Sequence, residues 1–302
     1  MKKVFIFIIC TILLVGGTDI IIGMVCTNYI KTHHLPGRYQ PLDKLVRQTD
    51  ADMILIGNSV ISNSINPAML EDSLNMTCYN GGITGQGIFF FETMVDCILQ
   101  RHKPKTIILG FRPEELGENV GEGVFDVLRP YYHIGFKSID QHFDNSSKYE
   151  RILLQSSLYR YNIIWIRIIL HSFFDKQKYS QNGFHESGIP RVLPQKITID
   201  KADKLITEKL NSLERIIQKC QSRNIKVYVC FPPEYFHFTK QPLPCITAVK
   251  DLCERSGVPR KIAERHRKYI IAAAEIMRGE YPLLQDYMDY IRKTLDTGGG
   301  RQ

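Results

Sequence analysis

Residues 52–59 read Asp-Met-Ile-Leu-Ile-Gly-Asn-Ser. Met53–Ile56 is a short, unbroken apolar run, the pattern of a strand covered on both faces in a parallel sheet. The run stops at Gly57-Asn58 and presents Ser59 just past its carboxyl end. Downstream, Asn66-Pro67 supplies an N-cap followed by proline at the first helical position, which predicts a helix to about Ser73. Thr77–Tyr79 is a second strand, and it runs into a second glycine-rich turn, Tyr79-Asn80-Gly81-Gly82-Ile83-Thr84-Gly85-Gln86-Gly87. Phe89–Gln100 carries apolar residues at helical spacing, Lys103-Pro104-Lys105 breaks it, and Thr106–Phe111 is a third strand. Strand, helix, strand, helix, strand in this order predicts a right-handed parallel α/β layer structure.

From Arg112 to about Lys196 the pattern loosens. Within it, Arg151–Phe174 reads as one helix whose stripe of Leu153, Leu154, Leu158, Tyr161, Ile164, Trp165 and Ile168 is core, or a face for a membrane or partner. Order then returns. Asp200 can cap a helix over Lys201–Arg223, and Ile225–Phe231 is a fourth strand stopped by Pro232-Pro233. Cys245–Ser256 is helical. Gly257-Val258-Pro259 leads toward a fifth strand that the sequence does not supply, since Arg260–Met277 and Pro282–Leu295 read as helices.

Val4 to Cys26 is a nearly unbroken apolar stretch, and as a helix it covers roughly 35 Å, enough to span a bilayer. Lys2 and Lys3 before it argue that the N-terminus stays cytoplasmic and the bulk is exported. Asp19 is the one charge inside, at a cost of about 2.5–3.5 kcal/mol in mid-membrane, less toward the exit end. A cleaved signal peptide would be cut near Val15 or Gly17, but the apolar run continues past both, which favours an uncleaved anchor. The expected organisation is a transmembrane anchor over 1–30, a linker over 31–49, an α/β domain over 50–258 with 112–196 as an irregular, partly helical insertion, and an atypical helical tail over 259–302. The expected location is the cytoplasmic membrane, crossed once, with the C-terminal domain outside the cytoplasm.

The chain carries 39 Lys and Arg against 31 Asp and Glu, a net charge of +8. These charges are scattered, and no zinc-finger spacing, RNA-binding aromatic motif or basic repeat accompanies them, so no nucleic-acid partner is expected. Of the 8 cysteines, Cys10 and Cys26 lie in the apolar stretch, and Cys78 and Cys97 fall on apolar faces as core fillers. Cys245 with Cys253 is open as a bridge in an exported domain. No metal site or cofactor is expected. The turn at Gly81–Gly87 lacks the Gly-Lys-Ser/Thr ending of a phosphate loop and the glycine order of a dinucleotide fingerprint.

Three blocks in order, Ile54-Leu55-Ile56-Gly57-Asn58-Ser59, Ile65-Asn66-Pro67 and Tyr79–Gly85, resemble the SGNH (GDSL-like) hydrolases, specifically their membrane-anchored bacterial members. The resemblance covers roughly residues 50–258. It implies a flavodoxin-like three-layer fold and a serine that attacks an ester carbonyl or acetyl group. On that pattern Ser59 matches the nucleophile, and the backbone N–H groups of Ser59 and Gly82 match two oxyanion donors. The chemistry agrees: Ser59 opens toward helical geometry with unpaired N–H groups, and glycine at 82 lets the backbone approach without a Cβ.

The chain departs from the pattern at three places. Asn58 stands where the family often has Asp. Gly110-Phe111-Arg112-Pro113 stands in place of a Gly-x-Asn-Asp donor block, which leaves Arg112 as a candidate anion stabiliser. The Asp-x-x-His that supplies the family's base is missing: Ala263 lies three residues before His266, and no His follows it. A hydroxyl without an adjacent base is a poor nucleophile at neutral pH. His237, just after the fourth strand, is the candidate substitute base, and a changed reading frame after Pro259 would account for the missing block and strand together. Two readings stay open. One is a membrane-tethered serine esterase, O-acyl transferase or deacylase acting on acylated cell-surface carbohydrate or another ester. The other is a non-catalytic relative that binds a glycan or a protein through the same pocket.

Overall fold

The computed structural model describes residues 1–35, 39–118, 125–162, 164–166, 182–184, 198–199, 204–230, 237–238 and 244–258. The two helices expected after Arg260, most of the loop expected over Asn182–Pro194, and the reading-frame question fall outside these residues. In chain order the helices are α1 (Lys2–Thr32), α2 (Gln40–Arg47), α3 (Ser59–Ser64), α4 (Pro67–Leu74) and α5 (Ile88–Arg101). They continue with α6 (Lys137–Asp144), α7 (Lys148–Leu153), α8 (Ser157–Tyr161), α9 (Thr207–Gln221) and α10 (Pro244–Arg255). The strands are β1 (Met53–Gly57), β2 (Cys78–Asn80), β3 (Thr106–Gly110), β4 (Thr198–Ile199), β5 (Lys226–Cys230) and β6 (His237–Phe238). The chain divides into two compact units, one within residues 1–50, 90–103 and 123–180 and the other within 51–89, 104–122 and 181–302.

The second unit is α/β. Its four-stranded sheet has the order β2-β1-β3-β5 and every pairing is parallel. β1 and β3 are buried at all of their residues, which is why both read as continuous apolar runs rather than alternating ones. On one face Met53, Leu55, Cys78, Ile108 and Cys230 pack with Ile61 of α3 and Leu70 of α4. β2 is an edge strand, and its exposed ladder is blunted: the Asn80 N–H donates to the Asn182 carbonyl at 2.8 Å. Gly183, at φ 76°, lies so close to the Asn80 carbonyl that a Cβ there would overlap it. From β1 the chain steps to β2 on one side and from β3 to β5 on the other. The strand order therefore reverses between β1 and β3, and open parallel sheets keep their crevice outside the carboxyl ends at that reversal.

α9 begins at Thr207, not at Lys201 as its amphipathic pattern suggested. The segment ahead of it pairs instead, with Glu118 N–H donating to Lys204 O and Ile206 N–H to Leu116 O. β4 and β6 form a separate parallel pair.

The first unit contains the N-terminal apolar helix α1, the one helix among the described residues long and apolar enough to cross a membrane. Val4–Val15 present large apolar side chains to the outside, whereas Cys26 and Ile30 are buried. The hydroxyls of Thr11 and Thr18 donate back to Phe7 O and Leu14 O, so they need no water. Within 31–49, expected as a linker, α2 buries Leu42, Leu45 and Val46. Asp43 on the same helix is wholly buried, accepts from Arg47 Nη1 at 3.2 Å and from the Tyr131 hydroxyl at 3.0 Å, and lies 2.7 Å from His34 Nδ1. Burial, with the Asp43 carboxylate beside it, pushes the Tyr131 phenol well above its ordinary range, so it stays a donor.

The helix predicted over Arg151–Phe174 is divided, up to residue 161, into α7 and α8, and its stretch over 167–174 lies outside the described residues. The cause is Asp19 of α1, whose carboxylate takes the N–H groups of Ser157 (3.1 Å) and Leu158 (2.8 Å) and the Ser156 hydroxyl (2.7 Å). Those N–H groups would otherwise bond the carbonyls one turn back, and one of these, Leu154 O, is taken by Arg160 Nη2 at 2.9 Å. Cys245 and Cys253, weighed as a bridge, are both free thiols on α10.

Candidate active site

β1 and β3 end in register, with Gly57 opposite Gly110, and Gly110 is opposite Cys230 at the end of β5. A Cβ on Gly57 would overlap the Gly110 carbonyl and the Ile61 side chain, and one on Gly110 would overlap Ile61. The paired glycines thus form a seat for Ile61, which is fully buried and pins α3 across the strand ends. Gly57 stops the strand in sequence, and its second role is to let a helix begin directly on the sheet.

Asn58 is the N-cap of α3. Its Oδ1 accepts from Val60 N–H at 3.0 Å, and its carbonyl accepts from Ile61 and Ser62 N–H at 3.1 Å each. Its Nδ2 donates to Glu115 Oε1 at 2.6 Å in a buried contact. Glu115 belongs to the 3-10 turn Pro113–Leu116 that follows β3, so this bond ties the loop after β1 to the loop after β3. Lys209 of α9 is buried and donates to the carbonyls of Glu115 and Gly117, both at 3.0 Å, holding that turn from the other side. In the sequence Asn58 stands out only as a variant of a family Asp, and neither Glu115 nor Lys209 stands out at all. The signal available was Asn at an N-cap; its partners are far away in sequence.

Ser59 is the first residue of α3 and is half-buried. With Val60, Ile61 and Ser62 N–H committed to Asn58, the Ser59 N–H is the donor left over in the first turn. Among the described residues none hydrogen-bonds the Ser59 hydroxyl.

The second glycine turn comes to α3. A Cβ on Gly82 would lie 2.5 Å from Ser62 N and 2.9 Å from Asn58 O, so only glycine permits this approach. Gly81 N–H donates to Leu55 O and Ile83 N–H to Gly57 O, both at 2.8 Å, which continues the β1 ladder past β2. The Gly82 N–H, expected as an oxyanion donor, donates to Asn80 Oδ1 at 3.0 Å. Asn80 is wholly buried, and its Nδ2 donates to the carbonyls of Ile61 and Ile65, each at 2.8 Å. Its amide therefore clamps the end of α3 to the turn, a role its sequence position did not disclose.

Arg112 follows β3 and is half-buried, its carbonyl accepting from Glu115 N–H at 2.9 Å. Cys230 ends β5, but burial pushes its thiol up to about 11, so at neutral pH it is a protonated core group and no competing nucleophile. His237 lies on β6, paired with Thr198. His33, His34, His102, His133 and His142 belong to the other unit. Among the described residues no group of three or more His, Cys, Asp or Glu is arranged to hold a metal ion. No protein-family profile matches the chain, and no curated protein or solved structure is significantly similar to it.

Proposed function

We propose that the α/β unit carries a serine acyl-transfer site of the SGNH type, on a flavodoxin-like three-layer fold tethered to the cytoplasmic membrane by α1. The observation that carries this reading is the position of Ser59. It stands at the carboxyl end of β1, at the point where strand order reverses, as the first residue of a helix whose leading N–H has no partner among the described residues. In the reaction the Ser59 Oγ bonds to the acyl carbon as its proton passes to a base. The carbonyl oxygen becomes the oxyanion beside Ser59 N–H and Gly82 N–H, with Arg112 near the same strand ends. Collapse expels the alcohol with a proton, and water or a second alcohol then takes the acyl group from Ser59. The substrate class is an O-acylated cell-surface carbohydrate or a related ester, with the N-terminus cytoplasmic and the unit outside. His237 is the candidate base.

A second reading, a non-catalytic pocket for a glycan or a protein partner, is favoured by one contact. The Gly82 N–H is already spent on Asn80 Oδ1, so holding an oxyanion requires that bond to be shared or exchanged. Reaction of the full chain with a fluorophosphonate probe separates the two. The acyl-transfer reading expects labelling that vanishes in Ser59→Ala. Labelling of the wild-type chain no greater than that of Ser59→Ala rejects it in favour of binding.

A further inference from the structure

α1 does more than tether. Asp19 holds the N-terminal N–H groups of α8, Gly23 faces Ser157 so closely that a Cβ would overlap the hydroxyl, and Thr27 Oγ1 lies 2.6 Å from the Tyr161 hydroxyl. Ser157 meets α1 at Asp19 and Gly23 and Tyr161 meets it at Thr27, so α8 runs along α1 in the same direction. The depth of this contact follows from helix geometry. A hydrocarbon core of about 30 Å accommodates about 20 helical residues. Counted from Val4 it ends near Gly23, which leaves Asp19 about 6 Å inside that edge at 1.5 Å per residue. Interfacial helices bury their apolar faces about 5–10 Å into the boundary of headgroups and acyl chains.

The turn that α1 holds at this level is amphipathic in the manner of an interfacial segment. α7 leads into it through hydrogen bonds from Gln155 N–H to Ile152 O and from Ser156 N–H to Leu153 O, so Ile152 and Tyr149 lie one and two turns before Ser156. Both are among the most exposed large apolar side chains outside α1, at 60% for Ile152 and 73% for Tyr149. Lys148 and Arg151 are also exposed, whereas the acid of α7, Glu150, turns inward to Arg129 Nε at 3.0 Å and the Tyr159 hydroxyl at 2.7 Å. The outward face of α7 thus combines an aromatic, an aliphatic and two cations, with no acid among them.

We propose that the α7–α8 turn is a second membrane contact, a foot seated in the leaflet that faces the folded chain. Tyr149 and Ile152 meet the acyl boundary and Lys148 and Arg151 meet anionic lipid headgroups. This rests on the reading of α1 as membrane-spanning and extends it. Aromatic side chains at the headgroup level and lysine or arginine stems reaching outward are the usual furniture of that zone.

Depth measurement by spin label tests both readings separately. Cys10 is the one exposed cysteine and labels in the wild-type chain; the other seven are buried. In a Cys10→Ser background, Ile152→Cys is labelled, with Gln218→Cys on α9 as the aqueous control. The full-length chains are placed in nanodiscs of phosphatidylethanolamine and phosphatidylglycerol, and relaxation by oxygen is compared with relaxation by a water-soluble nickel chelate. The foot predicts an oxygen-to-nickel ratio at Ile152→Cys severalfold above that at Gln218→Cys, and a smaller ratio in neutral phosphatidylcholine. A ratio equal to the control, with the Cys10 label inside the bilayer, overturns the foot and leaves the spanning helix. Shielding of the Ile152→Cys label from both reagents overturns it in favour of a protein neighbour. A Cys10 label in water overturns the spanning reading and the foot together.

Discussion

Gly57 and Gly110 face each other because one isoleucine needs the space of both, and the two positions respond differently to substitution. In Gly110→Ala the new methyl meets only the Ile61 side chain, so truncating that side chain makes room. In Gly57→Ala it also meets the Gly110 carbonyl, which no side-chain change removes. Each glycine substitution is expected to destabilise by about 1–3 kcal/mol through overpacking. Combining Gly110→Ala with Ile61→Ala should recover part of the summed loss, whereas Gly57→Ala with Ile61→Ala should not; denaturant midpoints of the two double-mutant cycles check this. Asn80 makes a sharper case. Asn80→Ala removes the side-chain donor to the Ile61 and Ile65 carbonyls, of which Ile61 O keeps the Ile65 N–H, and leaves the buried Gly82 N–H without its acceptor; it should cost about 1–3 kcal/mol. Asn80→Asp should melt lower still, because a carboxylate would face two carbonyl oxygens. In the sequence, Gly57 was legible as a strand stop and Gly82 as a point of close approach. Ile61 and Asn80 were not, because their partners are chosen by strand register and by the return of the chain, neither of which local pattern encodes.

At the level of elements, β1 and β3 were legible to within a residue or so because short continuous apolar runs admit few other structures, and β5 because an alternating stretch that turns apolar stops at Pro232-Pro233. α4 likewise followed from Asn66, whose Oδ1 accepts from Ala68 N–H at 3.1 Å, and Pro67. The division of α7 from α8 was invisible, since an uninterrupted apolar stripe gave way to a carboxylate brought from α1. Asp19→Ala removes that acceptor and should cost about 0.5–2 kcal/mol as a lost N-cap. Amide hydrogen exchange should quicken at Ser157 and Leu158 ahead of α9, which shares none of these bonds. Unchanged exchange at those two amides would show that Ser156, whose hydroxyl accepts from Tyr159 N–H, caps α8 by itself.

Over the whole molecule, buried thiols set a limit on the alkaline side. Burial raises Cys97 from 9.0 to about 12 and Cys230 from 9.0 to about 11. The folded chain therefore keeps these protons after the unfolded chain has lost them. The stability they contribute is full below pH 9.0 and is lost as pH rises through about 11 to 12, at about 1.4 kcal/mol per group per pH unit while the two states differ. Urea midpoints taken from about pH 8 to 11 should fall, and less steeply in a Cys97→Ala, Cys230→Ala double variant. The candidate site was legible in part at this scale. Ser59 and the Gly82 turn are close in sequence and end adjacent strands, so pattern alone could pair them, whereas Glu115 and Lys209 reach the loop after β1 from distant segments and leave no such trace.

The contacts of Asp19, Gly23 and Thr27 with α8 bear on anyone preparing this chain in soluble form. Starting it at residue 33, as a tidy removal of the greasy leader would suggest, deletes the acceptor at the head of α8, the partner of the Tyr161 hydroxyl, and the buried Cys26 and Ile30. The trimmed product would expose a fresh oily surface where the leader had rested, and precipitation of such material would say nothing about how well the remainder folds. Excising only residues 2–15 keeps every one of these contacts.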